Sequence, residues 1–196
     1  TSQIQTKGWT EIMINHKNKL WVMDRGDYLS NSSANRIYKI NPFTFIVEDS
    51  ITTFINSNSM VIDKNEKLWV LSSGKSGVEV PKLAQYDIVS KSLIQSFDFA
   101  SSSSPSRLTI SNNKSDLYYI NSSVFKMSYL ETTLPTIPFH QKTTENLYGI
   151  SIVAQSNDVY VFDAKDYNQQ GSMIRLDSLA VKKEVLNCGI IPNSLK

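Results

Sequence analysis

The sequence predicts an all-β chain built as a β-propeller. One apolar, β-prone run occurs four times, each time opened by a charged residue: Lys19-Leu20-Trp21-Val22-Met23, Lys67-Leu68-Trp69-Val70-Leu71, Asp116-Leu117-Tyr118-Tyr119-Ile120 and Asp158-Val159-Tyr160-Val161-Phe162. The steps from Leu20 to Leu68, Leu117 and Val159 are 48, 49 and 42 residues. A period of about 40–50 residues carrying such a strand marks a propeller blade. No stretch sustains a helical period.

Each repeat reads as a four-stranded antiparallel meander. Residues 1–8 contain Ser2-Gln3-Ile4-Gln5-Thr6, which looks like the outer strand Ser92-Leu93-Ile94-Gln95-Ser96. This is expected to be the last strand of a preceding blade or a strand that closes a ring. The first repeat covers about residues 9–56: strands at 11–14, 20–24, 36–40 and within 45–54, a tight turn at 15–19 and a long loop at 25–35. Period-two alternation in Arg36-Ile37-Tyr38-Lys39-Ile40 supports its third strand, and Asn41-Pro42 supports the turn after it. The second repeat, 57–101, has strands at 60–62, 68–71, 83–88 and 93–99, with a loop at 72–82. The third, 102–140, has strands at 107–110, 117–120 and 124–129, joined by the short Asn121-Ser122-Ser123. Its fourth strand, near 136–140, is interrupted by Pro138, which confines it to an edge because proline cannot donate to a ladder. The fourth, 141–189, has strands at 149–153, 159–162, 173–176 and 182–188, with a loop at 163–171. Trp21, Trp69, Tyr118 and Tyr160 stand at matching second-strand positions and are expected to pack between blades.

Composition narrows the function classes. The 196-residue chain is 40% hydrophobic, enough for a sizeable core, and its net charge of +2 comes without a run of Lys or Arg that would mark a nucleic-acid footprint. No apolar run approaches the ~20 residues that span a bilayer. The one cysteine, Cys188, cannot form an internal disulfide. The closing Pro192-Asn193-Ser194-Leu195-Lys196 looks like the start of another repeat, as in Asn58-Ser59-Met60-Val61. The chain is therefore expected to be part of a larger ring.

Loop length distinguishes the two ends of the meanders. Links from first to second and from third to fourth strands are mostly short. Links from second to third strands, and from one repeat to the next, are mostly long and polar. Such loops on a rigid scaffold usually carry binding residues. That face is expected to display Asp24, Arg25, Asp27, Tyr28 and Asn35 from the first repeat and Lys75, with Ser73 and Glu79, from the second. From the fourth it takes Asp163, Lys165, Asp166, Tyr167 and Gln169. The Asp27-Tyr28 and Asp166-Tyr167 pairs can hydrogen-bond to and stack on a sugar-like or planar ligand. The competing reading makes them turn-forming, solvated loop residues.

Signs of catalysis are sparse. His16 and His140 have no ligand-like spacing to another His or Cys. Asp24, Asp27 and Asp163 are the candidates for a hard-cation site, against the simpler reading of solvated acids. No G-x-S-x-G elbow or Gly-rich phosphate loop is present. Cys188 falls in an apolar outer strand, where a structural role is expected. No cofactor is expected.

Met60-Val61-Ile62-Asp63…Leu68-Trp69-Val70 and Ile37-Tyr38-Lys39-Ile40-Asn41-Pro42 resemble repeats of the YVTN/NHL-like β-propellers. Cys188-Gly189-Ile190-Ile191-Pro192-Asn193-Ser194 resembles the closing segment of the cell-surface and periplasmic propellers of Bacteroidota. The resemblance covers nearly the whole chain and implies the fold far more than a function. It implies about seven blades, of which four are visible, and an extracytoplasmic, secreted or lipid-anchored protein. It also implies capture of a nutrient for an outer-membrane transporter, as some such propellers do. The expected function is thus a non-enzymatic binding module acting on a small ligand or partner protein. The alternative is a propeller enzyme of the lactonase or lyase kind with a metal in the central channel, where inner-strand ends offer Glu11, Asn58, Ser59, Arg107 and Gly149.

Overall fold

The computed structural model describes residue 4, residues 8–27 and residues 32–195. Fifteen strands and no helix occur among the described residues. The first sheet runs β1 (Thr10–His16), β2 (Lys19–Asp27), β3 (Ser32–Ile40), β4 (Val47–Thr52). The second runs β5 (Ser57–Ile62), β6 (Lys67–Ser72), β7 (Lys82–Asp87), β8 (Leu93–Asp98). The third holds β9 (Ser106–Ile110), β10 (Asp116–Asn121) and β11 (Ser123–Ser128). The fourth holds β12 (Leu147–Ile152), β13 (Val159–Asp163), β14 (Gln170–Leu176) and β15 (Lys182–Ile190). Every neighbouring pair is antiparallel and adjacent in sequence, the meander expected of a blade. All four recurrent runs are second strands.

In the third sheet the fourth position is reduced to one bridge. Val124 and His140 exchange N–H···O bonds of 3.0 and 3.1 Å, and no longer ladder forms. Pro135 and Pro138 lack the donors that a ladder needs. The segment 2–6, read as an outer strand, lies outside the described residues apart from Ile4.

The chain divides into two compact units, Thr1–Ser103 and Ser104–Lys196. The first is held by a core between its two sheets: Trp21, Met23, Ile37 and Ile51 meet Met60, Ile62, Leu68, Val70, Ala84 and Tyr86. Strand alternation decides this membership. Leu68 and Val70 face that core, while Trp69 points to the other face of β6 and stacks on Phe97 at 6.2 Å. The second unit repeats the plan. Tyr118, Ile120 and Val124 pack on Ile150, Val159, Val161, Ile174 and Leu176, with Phe139 edge-on to Tyr118 at 5.2 Å. Of the four recurrent aromatics, Trp21, Trp69 and Tyr118 are buried and Tyr160 is half-buried.

Short turns gather at one end of each unit. Lys17 in the β1–β2 turn pairs with Glu66 in the β5–β6 turn. In the second unit the Asn112 amide donates to Asn157 Oδ1 at 3.3 Å, linking the β9–β10 and β12–β13 turns. The other end of each sheet therefore carries the remaining links. One of these differs from expectation. The loop read at 25–35 is mostly paired strand, because β2 runs on to Asp27 and β3 starts at Ser32. A bulge between Asp24 and Gly26, with Gly26 at φ 80°, lets pairing resume beyond Asp24.

Candidate functional site

Every first strand breaks its pairing near the end that carries the longer links. The shifts fall between Thr10 and Ile12, Ser57 and Ser59, and Leu147 and Gly149, and in the third sheet opposite Tyr119. Each inserts one extra residue. Glu11, Asn58 and Tyr148 take that position in their sheets, and Arg107 with Leu108 takes it in the third. A bulge bends the strand and re-aims the side chain it carries. Position in the fold is thus constant, while chemistry varies from sheet to sheet.

In the second unit these positions meet. The Arg107 guanidinium carbon lies 4.8 Å from the centre of the Tyr148 ring. Tyr148 meets Tyr167 edge-on, at 5.7 Å and 79°. Arg107 is exposed and Tyr167 keeps 46% of its surface open. Both have left-handed backbones, φ 61° and 67°, a conformation uncommon outside Gly, Asn and Asp.

The frame below this cluster is Asp163, 0% exposed at the end of β13. Its Oδ1 accepts the Asn146 and Lys165 amides at 2.8 and 2.9 Å. Its Oδ2 takes Lys165 Nζ at 2.5 Å and lies 3.4 Å from the Ser172 hydroxyl. Burial pushes the Asp163 carboxyl up, but the Lys165 ammonium and the two amides outweigh it and hold the carboxyl below its usual range. The Asn146 side chain closes the staple by donating to the Lys165 carbonyl at 2.8 Å. The segments before β12 and after β13 are thereby tied together, which sets Tyr148 beside Tyr167. Asp166 is exposed and accepts the Asn168 and Gln169 amides, both at 3.0 Å, so its carboxyl is also held low.

The other expected site residues fall in varied places. Asp24 is buried: its Oδ1 accepts the Gly26 amide at 2.9 Å and its Oδ2 the Tyr38 hydroxyl at 3.3 Å. Asp24 and Asp163 thus differ from the expected open contacts, because each carboxylate is consumed in shaping the link after its second strand. Arg25 is exposed on β2 and Asn35 on β3, where the Asn35 carbonyl accepts the Thr53 amide at 2.8 Å. Asp27 belongs to β2, paired with Ser32, and its side chain is outside the described residues, as is all of Tyr28. Lys75 is exposed in a small turn closed by its bridge to Glu79. That turn borders an open cleft lined by Ser73, Val78, Pro81, Ser101 and Ser103. Lys165, Asp166 and Tyr167 share one loop. Arg107 was legible only as an inner-strand end, and Tyr148 only as the last residue of a link. Bulges break the alternation by which strands are read, so neither stood out as a binding residue.

Among the described residues no group of three or more His, Cys, Asp or Glu is arranged to hold a metal ion. His140 and Glu145 form a largely enclosed pair, Nε2 to Oε1 at 3.4 Å. No described helix is long and apolar enough to cross a membrane.

Successive antiparallel meander sheets of this kind are those of a β-propeller, and comparison with solved structures agrees on the fold. The chain is similar to a quinoprotein alcohol dehydrogenase-like protein from Bacteroides thetaiotaomicron, with TM-score 0.68 and 13% identity, over 90% of this chain and 45% of that one. It is similar to the Swd1 β-propeller domain of Myceliophteria thermophila, with TM-score 0.69 and 11% identity, over 97% and 59%. It is similar to a putative 6-phosphogluconolactonase from Bacteroides uniformis, with TM-score 0.62 and 10% identity, over 92% and 57%. The chain therefore spans about half the length of the structures it matches. No protein-family model and no curated protein matches it.

Proposed function

We propose that the chain is a non-enzymatic binding module that captures a small ligand or partner at the end of its sheets opposite the short turns. One observation carries the reading: Arg107, Tyr148 and Tyr167 come from three separate segments and form one accessible cationic and aromatic surface. The resemblance of the Leu68-Trp69-Val70 and Ile37-Tyr38-Lys39-Ile40 motifs to YVTN/NHL-like repeats of Bacteroidota supports an extracytoplasmic setting. There the module would be secreted or lipid-anchored and would serve an outer-membrane nutrient transporter. A second reading, a metal-dependent lactonase or lyase, is favoured by the putative lactonase among the structural neighbours.

Amide chemical-shift mapping with a mixed set of monosaccharides and small aromatic compounds tests the binding reading. Shifts are expected at residues 104–107, 146–148 and 164–169. Substituting Tyr167 by Ala should weaken binding, by about 1 kcal/mol or more for a true anchor. Substituting Asn15, Lys17, Asn65 and Glu66 at the short turns should change little. Shifts confined to the short turns would overturn the reading. Stoichiometric metal in the purified protein, with activity lost to a chelator, would favour the enzyme.

A further inference from the structure

We infer that the Arg107–Tyr148–Tyr167 cluster takes a ring that bears a single carboxylate. The inference rests on the binding reading above and specifies its ligand class.

Arg107 has no carboxylate partner among the described residues; its guanidinium lies over the Tyr148 ring. Stacking on an aromatic face fixes the guanidinium plane and leaves its N–H edge free for a planar, two-point acceptor. The bulge and the left-handed backbone at Arg107 hold the base of that side chain at the exposed end of β9. Tyr148 is covered by Arg107 and abutted by Tyr167. The half-open surface of Tyr167 is therefore the stacking platform for a ring.

Charge selects a monoanion. Lys165, the cation of the loop that carries Tyr167, is committed to Asp163 at 2.5 Å. Asp166, next to Tyr167, is ionised and exposed. A phosphate dianion would meet one available guanidinium and a neighbouring negative charge. A carboxylate matches one guanidinium fork and suffers less repulsion. Two sources share this chemistry, an acidic sugar and an aromatic acid.

Glucuronate, benzoate, glucose and inorganic phosphate are the probes, each titrated at up to about 10 mM into the full chain, a range that detects millimolar sites. Chemical shifts of residues 104–107, 148 and 164–169 are the readout. Glucuronate or benzoate should perturb them, and the stronger of the two identifies the source. Glucose and phosphate should perturb them at least about tenfold more weakly. Arg107→Asn keeps a residue that tolerates the left-handed backbone and should cost about tenfold or more in affinity, with Arg107→Lys falling between. Tyr167→Asn should weaken both carboxylates. No perturbation by either carboxylate, or equal binding by Arg107→Asn with its spectrum otherwise intact, overturns the inference. If glucose binds as well as glucuronate at these residues, the carboxylate assignment fails while the binding reading stands.

Discussion

Asp63 shows how one buried side chain can organise a whole turn. Its Oδ1 accepts the Asn65 and Lys67 amides at 2.8 and 2.9 Å, and its Oδ2 accepts Trp69 Nε1 at 2.9 Å and Gln85 Nε2 at 3.1 Å. Asp63→Ala should lower stability by roughly 3 kcal/mol, because the indole and amide donors are left buried without a partner. A denaturant midpoint shifted by less than a third of that would contradict this. Trp69→Ala and Trp21→Ala remove buried rings and should each cost about 3–5 kcal/mol in the same measurement. Acid should act through Glu145. Burial raises its carboxyl, but the Thr143 amide and hydroxyl and the His140 charge prevail and bring it down to about 2. A depressed carboxyl stabilises the fold fully above its ordinary value of 4.5 and loses that contribution as pH falls toward 2. Unfolding titrations should therefore show stability declining across that window, with a shallower slope in Glu145→Gln. An equal slope in the variant would remove Glu145 from the account.

At the level of strands, β12 is the element on which the candidate site depends. Its bulge presents Tyr148, and its next residue, Gly149, lies against the chain's closing segment. A Cβ at position 149 would stand 2.1 Å from the Asn193 carbonyl oxygen. The Leu195 amide donates to Ser151 Oγ at 3.0 Å on the same strand. Residues 192–195 thus run along β12 without forming a ladder. Gly149→Ala should displace them at a cost of about 1–3 kcal/mol. Hydrogen exchange at Leu195 should then accelerate, and unchanged protection would mean the segment is held elsewhere. The first strands of the other sheets are bulged at the matching place.

Each compact unit of the molecule has its own two-sheet core. Val161, fully buried in the second core, contributes nothing to the first. Val161→Ala should therefore speed amide exchange through β12–β14 more than through β1–β8. Uniform acceleration across all strands would show that the two cores unfold as one.

The recurrence of Leu20, Leu68, Leu117 and Val159 determined the fold class, the second strands and their order. A large apolar run at fixed period can only be buried by stacking repeats. Pro135 and Pro138 likewise announced the weak fourth strand of the third sheet. Tertiary structure decided the site. Sequence places Asp24 at a strand end and Asp163 in a loop, both on the candidate binding face, because it does not reveal which carboxylates have amides waiting for them. Arg107 and Tyr148 are 41 residues apart in the chain. Their contact depends on two bulges, which insert one residue into a pairing and leave no period behind. Periodicity records which way a strand faces; the places where it is broken are set by the neighbours it meets.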